Sequence, residues 1–184
     1  MHYIYTLHNF YPIINISSEN IRLNQLQYIQ SHKNIPLIWK IIIFNNGSFT
    51  QNLQYLTHNT INLRYYQKTS FTVKKRLYNM RCVWLENTIY SNLTFARSIW
   101  ILVYYNPLYM SLQTFNPIGY NLVNSKIDIY KKIINIYYGY CHYIEEKFIK
   151  NQACWGRKYT LYYKNQSYIT VQEFFSPKII FFFT

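Results

Sequence analysis

A chain of 184 residues is long enough for one domain with a substantial core and rarely for two, so we predict a single domain over residues 1–184. Aromatic residues make up 21% of the sequence and glycine occurs only four times, which excludes the collagen-like, linker-like and disordered classes. No apolar run approaches the ~18 residues that a membrane helix needs, and the N-terminus resembles neither a secretory signal nor a transit peptide, so we expect a soluble protein.

The net charge of +13 arises from 19 lysines and arginines against six aspartates and glutamates. Such a charge favours nucleic acid, anionic lipid or an anionic small molecule as a partner. Most of the cations are lysines, however, and the sequence is also rich in Ile, Asn, Tyr and Phe, which share A/T-rich codons. We interpret this composition as the mutational bias of an A+T-rich organelle genome. Charge alone is therefore weak evidence for nucleic acid, and the scarce arginines and acids are more informative.

The N-terminal segment is predicted to contain one helix. Residues 1–17 show no clear period and receive no assignment. Residues 18–29 follow a helical pattern, in which Ser18 is a typical N-cap and Glu19 lies in the first turn, where the helix dipole favours an acid. We expect this helix to end before Pro36.

The next segment is predicted to form a strand and then a short helix. Residues 37–46, LIWKIIIFNN, are rich in β-branched and aromatic residues and end at an Asn-Asn-Gly turn, which predicts a strand. Ser48 can then cap a helix in which Phe49 and Leu53 share a face. Residues 59–78 are polar and mixed, which indicates a strand with a loop.

Two β-hairpins are predicted in the remainder of the chain. The first spans residues 80–105 around a turn at Thr88–Ser91 and alternates apolar and polar residues in its second half. Residues 106–124 indicate a loop with a short helix. Residues 125–138 favour a strand, although a capping-box pattern at their start leaves a helix as the alternative. The second hairpin spans residues 156–175.

The register of the second hairpin determines which side chains share a face. With Asn165 and Gln166 as a two-residue turn, Lys158 lies opposite Glu173, and Arg157 lies on the other face. A slip of one residue would reverse these faces. Many β-rich runs with helices at their margins predict an α+β domain built on an antiparallel sheet.

The cysteines and histidines do not indicate a metal site or a disulfide framework. Cys82, Cys141 and Cys154 are odd in number and include no C-x-x-C pair. The five histidines are scattered without ligand spacing. We therefore expect a reduced compartment and a protein without metal.

Seven sequence motifs carry a family resemblance. They are IIIFNNGSFTQNLQ (41–54), MRCVWLEN (80–87), LTFARSIW (93–100), NPIGYNL (116–122), YYGYCHYIEE (137–146), CWGRKYTLYYKNQ (154–166) and VQEFFSP (171–177). In this order they resemble the chorismate lyase family, above all its branch in cyanobacteria and red-algal plastid genomes. The resemblance covers roughly residues 35–180, which we take as the core of the domain.

The resemblance implies a fold, a reaction and a location. The fold is an antiparallel sheet with helices packed on it and flap elements that close over an internal site. The reaction converts chorismate to 4-hydroxybenzoate and pyruvate without a cofactor or metal, and the first product feeds quinone synthesis, which in a plastid means plastoquinone. We accordingly expect chorismate as the small-molecule partner, no nucleic-acid or membrane partner, a monomer, and a plastid location.

The resemblance also assigns site residues. Chorismate is a dianion, and a buried site must supply cationic, preferably bidentate donors for its carboxylates. Arg81 matches the carboxylate-binding arginine of the family, and Phe49 and Ile118 match flap positions whose backbone amides close over the ring. Glu173 matches the acid on the 4-hydroxyl side and is the candidate catalytic group. Arg157 is the candidate ligand of the enolpyruvyl carboxylate.

Each assignment has a structural alternative. Arg81 could pair with Glu86, Glu173 could be the partner of Lys158, since a buried acid needs one, and Arg157 could be an ordinary sheet arginine. Arg97 is a further candidate with the same two interpretations.

Three functional classes remain open. The first class is the lyase itself. Two departures from the family pattern, at Gln51 and at Ile99-Trp100, leave a slow or degenerate enzyme open within this class. The second class is a non-catalytic small-molecule module, since the related fold also serves as a repressor effector domain; this predicts an attached helix–turn–helix, for which the N-terminal residues leave no room. The third is a basic organellar RNA-binding protein, which predicts clustered cations, whereas the longest cluster here is Lys74-Lys75-Arg76.

Overall fold

The computed structural model describes residues 9–17, 35–73, 75–88, 91–101, 118–119, 128–149, 151–163 and 166–183. The described residues form seven strands, three α-helices and one 3₁₀-helix. In chain order these are β1 (Tyr11–Ser17), α1 (Leu37–Ile43), α2 (Phe49–Thr57), β2 (Asn62–Val73), β3 (Arg76–Asn87), β4 (Ser91–Ile101), β5 (Tyr130–Tyr140), α3 (His142–Phe148), β6 (Cys154–Tyr163), β7 (Gln166–Phe175) and the 3₁₀-helix (Pro177–Phe183). The helix predicted over residues 18–29 and most of the loop predicted over 106–124 lie outside the described residues.

The strands form one antiparallel sheet in the order β1-β5-β6-β7-β4-β3-β2. Two meanders, β2-β3-β4 and β5-β6-β7, are joined where β4 pairs with β7. Every pairing in the sheet is antiparallel, and the helices pack on it. The predicted α+β class with an antiparallel sheet is therefore confirmed.

The sheet has two faces with different covers. Side chains alternate along each strand, so that on β3 Arg81 and Val83 point to one face, the front face, and Cys82 and Trp84 point to the other, the back face. The front face packs against α1, α2 and the 3₁₀-helix in one apolar cluster. The back face carries a second cluster that is covered by Ile144 and Phe148 of α3 and by Phe10, which precedes β1.

The segment 37–46, predicted as a strand, is instead the helix α1, and that prediction was wrong. Trp39, Ile42 and Ile43 are buried, whereas Leu37 and Ile41 are exposed. The buried residues are spaced as on one face of a helix. The β-branched residues favour a strand locally, but tertiary packing overrides propensity when an apolar stripe finds a complementary surface. An apolar run of this length does not by itself distinguish a buried strand from a buried helix.

Three other local predictions are confirmed. Ser48 is the N-cap of α2, and its Oγ accepts a hydrogen bond from the Gln51 amide at 3.5 Å. The hairpin predicted around Thr88–Ser91 is β3–β4, and the segment for which a strand was preferred over a helix contributes β5. Residues 59–78 contain more strand than predicted, since β2 runs for twelve residues.

The predicted register of the second hairpin was wrong by one residue. Arg157 lies opposite Glu173, and Lys158 lies opposite Gln172. The last paired residues before the turn are Tyr163 and Gln166, one residue earlier in each strand than predicted. A register shift between Leu161 and Tyr162 then changes the pairing of the residues farther from the turn. Because the side-chain period of a strand is two, this slip moves Arg157 to the same face as Glu173 and Lys158 to the other.

Two further observations concern the cysteines and the helices. Cys82, Cys141 and Cys154 are buried free thiols. Among the described residues, no helix has both the length and the apolar character needed to cross a membrane.

Candidate functional site

A cavity of about 220 Å³ lies on the front face of the sheet. Its floor consists of front-face side chains of the strands β2 to β7, among them Arg81, Lys131 and Glu173. Its roof is formed by residues 46–50, which comprise the end of the α1–α2 connection and the first two residues of α2, and by residues 118–119. The alternation of the strands thus brings charged side chains from distant parts of the sequence to one cavity.

Arg81 is a buried cation of the cavity floor, with 3% of its surface exposed. Its Nη1 donates a hydrogen bond to the Tyr65 hydroxyl at 3.4 Å, and its guanidinium carbon lies 5.8 Å from the centre of that ring. Burial lowers the pKa of Arg81, but an arginine stays protonated in proteins. The alternative partner considered above, Glu86, instead forms an ion pair with Arg64.

Glu173 lines the same cavity and is held by two donors. Arg157 Nε donates to Glu173 Oε2 at 2.7 Å, and the Tyr159 hydroxyl donates to Oε1 at 3.0 Å. Burial, together with the adjacent Glu173 carboxylate, raises the pKa of Tyr159 well above its usual value, so this hydroxyl remains a donor. The carboxylate is therefore fixed in orientation while one edge faces the cavity. Its structural partner is Arg157 and not Lys158, as the alternative interpretation had it.

Arg157 lies behind Glu173 and is not among the described residues that line the cavity. Its side chain is fully buried, and Nη1 donates to the carbonyl oxygens of Ile42 at 3.1 Å, Ile43 at 2.8 Å and Asn45 at 3.1 Å. Cations stabilise a helix C-terminus in this way, since the last carbonyls of α1 have no partner within the helix. Nη2 is buried and makes no hydrogen bond. The structure thus connects Arg157 to Glu173 and to the end of α1, and does not bring it to the cavity as a ligand.

Three aromatic rings surround the Arg157 guanidinium. Its carbon lies 5.7 Å from the ring centre of Phe49, 5.1 Å from Tyr159 and 5.5 Å from Phe175. A weakly hydrated guanidinium tolerates such burial better than an ammonium does, and the ring faces attract it. The same arginine therefore packs against Phe49 of α2, Tyr159 of β6 and Phe175 at the end of β7.

Lys131 is a cavity residue that the sequence analysis did not identify. Its Nζ donates to the carbonyl oxygens of Asn45 at 3.3 Å and Gly47 at 3.1 Å and lies 4.7 Å from the centre of the Tyr159 ring. Burial lowers the pKa of Lys131 to about 8; repulsion from Arg157 adds to this, and Glu173 opposes it. The available signal was a lysine that alternates with the apolar residues Ile129 and Ile133, but the codon bias made lysines uninformative.

The two roof segments meet closely. Phe49 is buried and packs on the ring of Phe175 at 4.8 Å, and Ile118 is also buried. A Cβ atom on Gly119 would lie 2.8 Å from Ser48 Oγ and 3.2 Å from Ser48 Cβ, so a larger residue at position 119 would push the two segments apart. The first i→i−4 hydrogen bond of α2 is that from Asn52 to the Ser48 carbonyl. The amide of Phe49 therefore lies in the part of the first turn that has no acceptor within the helix.

The remaining candidates lie elsewhere. Arg97 pairs with Cys82 and Gln172 in the sheet register and points to the back face, away from the cavity; burial lowers its pKa. Within the described part of the chain, no cluster of three or more histidines, cysteines, aspartates or glutamates could hold a metal ion.

Comparison with known proteins gives a family. Residues 43–182 match the family described as chorismate pyruvate-lyase Rv2949c-like. The chain is 39% identical to the protein ycf21 of Antithamnion sp. over 178 residues, which is 96% of this chain and 95% of that protein. It is 32% identical to the ycf21 proteins of Pyropia yezoensis and Porphyra purpurea, in each case over 81% of this chain and 86% of the relative. The names of these plastid reading frames assign no activity.

Proposed function

This chain belongs to the chorismate pyruvate-lyase Rv2949c-like family, and we propose that it is an enzyme that converts chorismate to 4-hydroxybenzoate and pyruvate. The observation that carries the proposal is that Arg81 and Glu173, from β3 and β7, line one cavity beneath the roof segments at Phe49 and Ile118. The cavity is smaller than the ~300–1,000 Å³ of sites for drug-sized ligands, which suits a small metabolite with one ring.

Arg81 binds the ring carboxylate in this proposal. A guanidinium matches a carboxylate with two parallel hydrogen bonds, and such charge-assisted bonds are stronger than neutral ones. The amides near Phe49 and Ile118 add donors from the roof, where the helix dipole of α2 also favours negative charge. The buried position of Arg81 strengthens the interaction, since water does not screen it.

Glu173 accepts a hydrogen bond from the 4-hydroxyl group of chorismate and assists the proton transfer. Because Arg157 and Tyr159 hold its two oxygens, the carboxylate is already oriented before substrate enters. Arg157 is then a positioning residue, which acts through Glu173. Preorganised groups of this kind lower a barrier without reorganisation during the reaction.

The reaction balances without a cofactor or other reactant. The C4–H bond breaks, and its electron pair forms the third double bond of the ring. The C3–O bond breaks at the same time and enolpyruvate leaves. The proton lost from C4 is equivalent to the one that enolpyruvate gains on its methylene carbon to become pyruvate. The aromaticity of 4-hydroxybenzoate drives the elimination. In a plastid this product serves quinone synthesis, and we propose a plastid location because the relatives named ycf21 come from red algae.

The test is an assay of the purified protein with chorismate, in which 4-hydroxybenzoate and pyruvate are measured together. We expect both products in equal amounts from the wild type. Arg81→Gln should lower kcat/KM by a factor on the order of 100 or more, because a charged donor to the ring carboxylate is lost. Arg97→Gln is the matched control on the opposite face and should stay within about threefold of the wild type.

Two outcomes contradict the proposal. One is a folded wild-type protein that releases neither product. The other is equal activity of the Arg81 and Arg97 variants.

A further inference from the structure

The substrate has two carboxylates, whereas the proposed function has assigned a partner to only one of them. Arg157, the candidate for the carboxylate of the enolpyruvyl arm, does not line the cavity. Of the described cavity residues, the cations are Arg81 and Lys131. The inference that follows rests on the proposed function and concerns the same site.

The sheet order places Lys131 on the far side of Glu173 from Arg81. Arg81 is on β3 and Lys131 on β5, and β7, which carries Glu173, lies between these two strands. Across the cavity floor the charges therefore follow the order cation, acid, cation. A ligand with a carboxylate at each end and a hydroxyl group between them matches this order.

The present contacts of Lys131 can be exchanged for a ligand. Its ammonium donates to two neutral carbonyl oxygens, and a carboxylate is a stronger partner for an ammonium than a carbonyl is. The Asn45 carbonyl also accepts a hydrogen bond from Arg157, so it keeps a donor when Lys131 turns to a ligand. The charge of Glu173 is balanced by Arg157, which leaves the charge of Lys131 available to an incoming anion.

We propose that Lys131 binds the carboxylate of the enolpyruvyl arm and makes the site selective for a dianion over a monoanion. The product 4-hydroxybenzoate keeps only the ring carboxylate. Once pyruvate has left, the contact with Lys131 no longer holds the ring, so the product lacks one of the contacts that hold the substrate.

The binding of the second carboxylate depends on pH, because it requires a charged Lys131 ammonium. The groups that face it are Arg157 and Tyr159 from β6, Glu173 from β7 and, across the cavity, Arg81. The pKa of Lys131 is about 8, so below pH 8 the ammonium is charged and binds the second carboxylate. Above pH 8 it becomes neutral, and kcat/KM for chorismate falls. The pKa of Tyr159 is raised, so this group does not titrate there.

The experiment compares Lys131→Met, Lys131→Arg and, as a matched control, Lys132→Met at the exposed neighbouring position. KM and kcat are measured with chorismate across pH 6–10, and the dissociation constant of 4-hydroxybenzoate is measured by calorimetry. We expect Lys131→Met to raise KM for chorismate by a factor on the order of 10 to 100, the effect of a charge-assisted hydrogen bond. Its affinity for 4-hydroxybenzoate should stay within about threefold. In Lys131→Arg the fall of kcat/KM near pH 8 should disappear, because arginine does not titrate there.

Two results would overturn the inference. Unchanged KM in Lys131→Met excludes a contact with substrate, and an equal loss of affinity for both ligands shows that Lys131 only holds residues 45–47 in place.

Failure of the proposed function is a separate result. If the wild type does not turn chorismate over, its binding is measured by calorimetry. Tighter binding of chorismate than of 4-hydroxybenzoate that Lys131→Met abolishes supports the dianion site, and equal binding of the two by the wild type refutes it.

Discussion

At the scale of single residues, the buried pair of Arg157 and Glu173 organises the candidate site. An ion pair taken out of water is expensive, and it is tolerated only where further hydrogen bonds satisfy both partners. Here Arg157 also donates to three carbonyl oxygens, and Glu173 also accepts from Tyr159. Arg157 therefore fixes the Glu173 carboxylate and also caps the C-terminus of α1.

Removal of one partner of this ion pair should destabilise the protein. We expect Arg157→Met to destabilise the protein by about 3–5 kcal/mol, because the Glu173 carboxylate then stays buried without its cation. Denaturant unfolding measures the loss. The double variant Arg157→Met/Glu173→Gln should be more stable than Arg157→Met alone, since the neutral amide keeps the bond with Tyr159 and needs no cation. A double variant as unstable as the sum of the two single changes would contradict this coupling.

At this scale the sequence was informative only in part. Arg81 and Glu173 were predicted as partners in one site, and both line the cavity. Arg157 was predicted on the wrong face because one residue of register reverses every side chain of a strand. Lys131 was not predicted, because nothing local distinguishes an inward lysine from the many others.

At the scale of elements, α2 and the residues before it form the roof of the cavity. The serine that begins α2 both caps the helix and contacts the second roof segment at Gly119. Local sequence predicted this helix, since the N-cap and the apolar face agree. Local sequence did not predict α1, because its apolar residues fit a strand equally well. The helix is favoured by its packing on the sheet, where Trp39 contacts Trp155 and Phe175.

The contact between the two roof segments is the basis of a further prediction. Gly119→Ala should weaken the binding of 4-hydroxybenzoate by about tenfold, because the added Cβ meets Ser48 and moves the two segments apart by a few tenths of an ångström without unfolding them. Calorimetry measures the affinity, and denaturant unfolding should show little change. Adding Ser48→Gly removes both atoms that clash and costs only a few tenths of a kcal/mol as an N-cap. We expect this second change to restore binding, and failure to restore it would show that the roof contact is not the cause.

At the scale of the whole molecule, one sheet supplies the floor of the cavity from both of its meanders. Arg81 belongs to β2-β3-β4, Glu173 and Lys131 belong to β5-β6-β7, and the β4–β7 pairing joins the two meanders. A ligand that contacts both halves stabilises the folded state of the entire sheet. The dispersed positive charge, in contrast, forms no long cluster in the sequence.

The thermal unfolding of the protein tests this arrangement. With 4-hydroxybenzoate at 100 times its dissociation constant, linkage predicts about 2.7 kcal/mol of added stability. For a domain of this size we expect Tm to rise by roughly 5–10 °C in one cooperative transition. Two transitions, of which the ligand moves only one, would show that the two meanders do not form a single cooperative unit, and would also contradict the prediction of one domain over residues 1–184.

The sequence by itself determined the fold class, the N-cap of α2, the hairpin β3–β4 and the family resemblance, because each depends on nearby residues or on motif order. Only the tertiary structure decided that α1 is a helix, that Arg157 faces Glu173, and that Lys131 enters the cavity. These three features depend on what lies across the sheet, since packing selects between a strand and a helix of equal apolar content. A register shift of a single residue likewise determines which cations reach the front face, and local sequence does not specify it.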